Sequence, residues 1–155
     1  MNLEQELRQE LVAHLNLNNF TSVEIGISVR RTIEKMRKEK NTCAIITDRG
    51  VLVGIFTEHD ILAKIVDNPE TWRLPVDDFI TPSPLTVNDK DSVQVALALM
   101  EEKQFRNVPV LDEEGKVVGN LTHYAIIRYL ADRFPESVYN QSPDPDRNPR
   151  KRNGA

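Results

Sequence analysis

The sequence has little of what would name a chemistry. It holds one cysteine, Cys43, in 155 residues, which excludes an internal disulfide framework. That thiol lies in an apolar stretch, where a packed side chain rather than a nucleophile is expected. No apolar run is long enough to span a bilayer. The first ten residues carry three glutamates and no apolar leader core, so the expected address is cytoplasmic, away from a membrane. His14, His59 and His123 show no metal-ligand spacing with Cys43 or the carboxylates. No nucleophile stands beside a base, and neither a P-loop nor a dinucleotide fingerprint is present. An enzyme is therefore not expected. Positive charge is also scarce: 20 Lys and Arg against 24 Asp and Glu give a net charge of −4, which argues against a broad nucleic-acid surface.

A hydrophobic fraction of 39% and a charged fraction of 28% fit a soluble globular chain. One stretch organises it. Val51 to Phe56 reads as a short buried strand, too short for a helix of its own. It turns at Thr57 into a helix to about Val66, with Ile61, Leu62, Ile65 and Val66 on one apolar face. Thr57 with Asp60 three residues on has capping-box spacing. The same helix start could offer N–H groups, a hydroxyl and a carboxylate to a polar ligand.

The stretch occurs twice. Gly54, Thr57, Ile61 and Leu62 recur as Gly119, Thr122, Ile126 and Ile127. Upstream, Val29, Ile33, Met36 and Asp48 recur as Val93, Leu97, Met100 and Asp112. The register slips by one residue between the aspartates and the glycines, at a hairpin turn that tolerates it. This is a tandem duplication, and each copy is too small to bury much surface without its twin.

Taken in order, residues 2–16 read as a helix with Leu3, Leu7, Leu11, Val12 and Leu15 on one face, a stripe that must bury on this chain or on a second copy. Val23 to Ile27 alternates like a strand, and Ser28 caps a helix bearing Val29, Ile33 and Met36. Asp67 to Pro75 links the copies, and its Trp72 is expected between them. In copy two, Asp91 with Gln94 is expected to cap the helix that carries Val95, Leu97, Leu99 and Met100. Pro109 should mark an edge strand or a strand start. The proline-rich, basic end of the chain reads as disordered. The expected divisions are an amino-terminal amphipathic helix (1–19), a first repeat with linker (20–75), a second repeat (76–134) and a flexible tail (135–155).

Two copies of strand–helix–strand–strand–helix, each with Gly-x-x-Thr before the last helix, resemble the tandem cystathionine-beta-synthase (CBS) domain. Gly54 to Asp60 matches the family's glycine, two residues, Thr or Ser, two residues, Asp in full. Phe79-Ile80-Thr81-Pro82, Met100 and Val108-Pro109-Val110 add to the likeness. The resemblance implies an α/β (α+β) fold of two pseudo-symmetric β-α-β-β-α repeats packed sheet to sheet, with an extra N-terminal helix. It implies a regulatory module that binds an adenosine compound (AMP, ADP, ATP or S-adenosylmethionine) between the repeats, with no obligatory cofactor. By position, Asp60 would hold both ribose hydroxyls. Thr57 would face the first phosphate, and His59 could touch the ligand. Thr81 and Pro82 would come from the other copy, Val108 and Pro109 would form an apolar slot for adenine, and Arg106 beside Asn107 would meet phosphate. Two departures stand out. Ala125 occupies the place of the aspartate in copy two, so one competent cleft is expected. Thr42-Cys43-Ala44-Ile45 replaces the proline-bearing strand in copy one. The family also implies a homodimer and a regulated protein partner. The alternative is a ligand-free dimerisation or adaptor module working through the amino-terminal stripe or the tail.

Overall fold

The computed structural model describes residues 2–82 and 85–133. Its elements run α1 (Leu3–Gln9), β1 (Thr21–Glu24), α2 (Val29–Glu39), β2 (Cys43–Asp48), β3 (Val51–Thr57), α3 (Glu58–Asp60) and β4 (Thr81–Pro82). They continue with β5 (Val87–Asn88), α4 (Val93–Lys103), β6 (Asn107–Leu111), β7 (Val117–Thr122) and α5 (His123–Arg133). One sheet has the order β1-β2-β3-β4 and the other β5-β6-β7. This is the expected mixed α/β fold of two repeats.

The duplication is visible bond by bond. Ser28 Oγ accepts from the Arg31 N–H at 3.1 Å and Ser92 Oγ from the Val95 N–H at 3.2 Å, starting α2 and α4. Ser92, not Asp91, is therefore the cap; Asp91 Oδ2 instead accepts from the Asn88 N–H at 2.9 Å. Both helices end on a left-handed residue, Lys40 and Gln104. The following hairpins β2–β3 and β6–β7 are antiparallel, each with a register shift after the fourth residue of its first strand. Pro109 corrects the expectation of an edge, because it sits in β6, the central strand of its sheet. It leaves its mark by shortening the neighbour. β1 pairs four residues of β2, whereas β5 begins its pairing only at Val110, just past the proline that has no N–H to give.

The repeats are joined by exchanging their leading segments. Residues 11–19 precede β1 yet pack on repeat two, and residues 74–82 precede β5 yet pack on repeat one. The Val12 N–H donates to Asp91 O at 2.9 Å, as the Val76 N–H does to Ile27 O at 2.8 Å. The Val93 N–H donates to Glu10 O at 2.8 Å, as the Val29 N–H does to Leu74 O at 2.9 Å. One core gathers Leu7, Val12, Leu15 and Leu17 with Val93, Met100, Val108 and Ile126; the other gathers Val76 and Ile80 with Val29, Met36, Phe56 and Ile65. The amino-terminal stripe is thus used up within the chain. Its helix is shorter than expected, since α1 ends at Gln9 and a 3₁₀ turn at Val12–His14 mirrors the one at Val76–Phe79. Two other expectations fail. Trp72 is 38% exposed rather than buried between repeats. Of the four apolar residues expected on one face after Thr57, only Ile65 is fully buried, while Leu62 is 70% exposed. The expectation of a disordered tail lies outside the described residues.

Gly54 and Gly119 occupy the points of closest approach. A Cβ on Gly54 would stand 2.5 Å from Thr81 O and 2.8 Å from Ile80 Cδ1, and one on Gly119 would meet the side chain and backbone of Leu17. Gly54→Ala should therefore destabilise by about 1–3 kcal/mol. That is a fall in melting temperature of roughly 2–4 °C per kcal/mol, while the exposed Val51→Ala stays within about 0.5 kcal/mol of wild type. Equal melting temperatures for Gly54→Ala and wild type would show that the exchange does not need the glycine.

Cys43 lies fully buried in β2. Burial first, and then the negative charge of Asp60, pushes its thiol from 9.0 up to about 12. Native protein at pH 8 should leave a disulfide reagent unconsumed, and denaturant should release one reactive thiol per chain. The same shift makes stability fall as pH rises above the unfolded thiol's value, because there only the unfolded chain ionises. Fast modification of native protein would contradict this burial.

Candidate functional site

The strand β3 delivers Thr57 to the start of α3, and the backbone closes a tight acidic turn there. The Thr57 N–H donates to Asp60 Oδ2 at 2.9 Å and its Oγ1 reaches the same oxygen at 3.3 Å. Lys64 Nζ donates to Asp60 Oδ1 at 2.9 Å and to Phe79 O at 3.0 Å. Asp60 is only 3% exposed, so its carboxylate is paired on both oxygens. The helix widens immediately after it. Ile61–Ile65 is a π-helical turn, with the Val66 N–H bonded to Ile61 O at 3.0 Å.

Above this turn lies a cavity of ≈ 570 Å³ between the repeats. Of the expected site residues, Thr57, His59, Asp60, Thr81, Arg106 and Asn107 all line it. Pro82, Val108 and Pro109 do not. Pro82 is exposed and pairs with Gly54 in β4, and Val108 points into the core of repeat two. Pro109 is buried in β6, and neither strand residue is a wall of the cavity. The apolar wall comes instead from Ile55, Leu85 and Phe105, with Leu62 at its side. Sequence reasoning passed over these. Ile55 was signalled by alternation, since its neighbour Phe56 is fully buried in the core of repeat one and adjacent strand residues face opposite ways. Phe105 stood beside Arg106 as an aromatic in a polar run, and it remains 43% exposed.

A second cavity, ≈ 680 Å³, occupies the pseudo-symmetric position around Thr122 and Ala125. Its start is capped differently. Thr122 Oγ1 accepts from the Ala125 N–H at 3.0 Å, and no carboxylate closes the turn. Among the described residues Lys40, Arg128 and Arg133 line it with one acid, Asp132, whereas the first cavity has Glu58 and Asp60 with Arg106. Tyr129 stands where Lys64 stands in copy one. Its hydroxyl is buried, and burial followed by the charge of Glu10 raises its phenol above the ordinary value. The backbone around the two sites matches: the Glu58 N–H donates to Thr42 O and the His123 N–H to Arg106 O, each at 3.2 Å. Among the described residues no group of histidine, cysteine and carboxylate side chains could hold a metal. No helix there is long and apolar enough to cross a membrane.

Comparison with known proteins agrees with this layout. The family model described as CBS domain matches twice, over residues 12–67 and 76–132. The CBS domain-containing protein CBSX2, chloroplastic, of Arabidopsis thaliana is 30% identical over 138 residues, or 71% of this chain and 58% of that protein. An uncharacterized protein of Methanocaldococcus jannaschii, MJ1404, is 30% identical over 95 residues, 61% of this chain and 23% of its own length. The chain therefore spans less than two thirds of these relatives. The crystal structure of CBSX2 in complex with AMP superposes with a TM-score of 0.69 at 29% identity, covering 80% of this chain and 98% of that one. The family match begins at Val12, so it takes in the exchanged leading segment as well as the sheets and helices. With both copies matched and the fold shared, this chain belongs to the CBS-domain family, as a tandem CBS pair.

Proposed function

We propose that the chain is a regulatory, non-catalytic module that binds an adenine nucleotide in the ≈ 570 Å³ cavity, anchored by Asp60. The observation that carries this is a nearly buried carboxylate at a cavity lined from both repeats. A carboxylate has about four lone-pair positions. Here the Thr57 N–H, the Thr57 hydroxyl and Lys64 take three of them, the hydroxyl at the longest distance. A hydroxyl rotates freely, so Thr57 Oγ1 can turn from Asp60 to a phosphate and release a position on Oδ2. Together with the open position on Oδ1, that accommodates two ribose hydroxyls. Ile55, Leu85 and Phe105 would flank the base, and Arg106 can grip two phosphate oxygens at once. The AMP complex of CBSX2 supports the choice of ligand. The second cavity lacks the anchor at Ala125, so one tight site per chain belongs to this reading. A cytoplasmic address and a regulated protein partner complete it.

Ligand at a hundredfold its dissociation constant stabilises by about 2.7 kcal/mol. The melting temperature should then rise by roughly 5–10 °C with AMP, ADP, ATP or S-adenosylmethionine. Asp60→Ala should abolish most of that rise, and calorimetry should count one tight site. No shift with any of the four at millimolar concentration would overturn the proposal.

We also infer a homodimer, on a different basis from the amino-terminal stripe, which is buried. Leu62 and its counterpart Ile127 are 70% and 51% exposed at equivalent places in the two repeats, with Val66 and Tyr124 beside them. Two such patches related by the internal pseudo-symmetry suit a self-complementary interface. Light scattering should give twice 17.7 kDa, and Leu62→Glu with Ile127→Glu should return the monomer. A 17.7 kDa particle at high micromolar concentration would refute the dimer.

A further inference from the structure

We infer that Lys64 is the positioning residue of the nucleotide anchor: it holds the Asp60 carboxylate in place and makes the cleft selective for a ribose diol. This rests on the proposed role of Asp60. Lys64 stands one helical turn after Asp60, and its Nζ joins two groups that no other side chain connects among the described residues. It donates to Asp60 Oδ1 at 2.9 Å and to Phe79 O at 3.0 Å. Phe79 stands two residues before Thr81, which pairs with Ile55 on β3 and lines the same cavity. One ammonium therefore fixes the carboxylate and ties the helix to the segment arriving from the other repeat.

The chemistry follows from burial. A carboxylate that is 3% exposed has lost most of its water and must be compensated by charge or by donors. Lys64 supplies the positive charge 2.9 Å from Oδ1 without itself lining the cavity, and its side chain remains 40% exposed. The cavity-facing lone pairs are then presented by an ion pair rather than by an isolated anion. Such a site favours neutral hydroxyl donors over a cation, which would meet Lys64 at close range. With the lysine gone, Asp60 keeps only the Thr57 contacts, and its Oδ1 is free to swing.

The internal duplication supplies an independent observation. In the second cavity both members of the pair are replaced, Asp60 by Ala125 and Lys64 by Tyr129, while the threonine, the glycine and the supporting backbone bonds are kept. The Tyr129 hydroxyl sits buried there beside Glu10, with no lysine-like charge to offer a carboxylate. Anchor and lysine are present together in one cleft and missing together in the other. It follows that an aspartate alone would not rebuild the second site.

The test compares AMP with 2′,3′-dideoxyadenosine monophosphate, which lacks both hydroxyls, by calorimetry on the full chain. Wild type should prefer AMP, and Lys64→Met should weaken AMP about ten- to a hundredfold while leaving the dideoxy compound nearly unchanged. A merely structural lysine would weaken both alike. In the second cleft, Ala125→Asp with Tyr129→Lys should create a second AMP site per chain, and Ala125→Asp alone should not. If wild type prefers AMP but Lys64→Met preserves the preference, or if Ala125→Asp suffices by itself, Lys64 has no positioning role. If wild type does not distinguish the two compounds, the ribose-anchor reading fails first and takes this inference with it.

Discussion

The close backbone contact at Gly54 and Gly119 is the constraint on which the rest of this structure depends. Each glycine sits on the last strand of one hairpin, and each is covered by the leading segment of the opposite repeat. A side chain at either place would hold that segment off the sheet. Because it can approach, Ile80 and Val76 complete the core of repeat one, and Leu17, Leu15 and Val12 complete that of repeat two. Neither repeat has a full core without residues that lie next to the other in sequence. A half of about 60 residues is in any case a marginal size for a hydrophobic core of its own.

The same exchange builds the cleft. Thr81 enters beside Ile55 because its segment pairs with β3, and this brings it to the face where Thr57 and Asp60 begin the next helix. Arg106 and Asn107 arrive from the other side, at the start of β6 after the left-handed turn at Gln104. The site is thus a by-product of how the two halves are held together. Its walls come from both halves, with Ile55, Thr57 and Asp60 from one and Phe105, Arg106 and Asn107 from the other.

Duplication set out two such clefts, and substitution has made them unlike. The backbone bonds at 3.2 Å from Glu58 and His123 show how closely the frames agree. The side chains do not agree. One cleft holds a paired carboxylate, whereas the other is lined by Lys40, Arg128 and Arg133 and has a methyl group in the carboxylate's place. A shared frame with unlike chemistry gives one chain two environments at little structural cost.

The repeat, the element order and the cluster Thr57, Asp60, Thr81 and Arg106 could be read from the sequence alone. The repeat, the element order and the Thr57–Asp60 pair depend on local spacing and on internal self-similarity, both of which survive without coordinates, whereas Thr81 and Arg106 came only from the resemblance to the CBS family. The capping bond between Thr57 and Asp60 was legible for the same reason, since its partners are three residues apart. What could not be read is where long-range contacts send each apolar face. The leucine stripe of residues 3–15 has the same pattern whether it meets a second chain or, as here, the core of repeat two. Pro109 looked like an edge because a missing N–H is a local fact, yet the cost fell on a neighbour that simply pairs later. Val108 was expected at the cavity and Ile55 was passed over, because alternation says that neighbours face opposite ways, not which side faces the ligand. Only the tertiary structure chose between them, because that choice is made by the segment from the other repeat that covers each sheet.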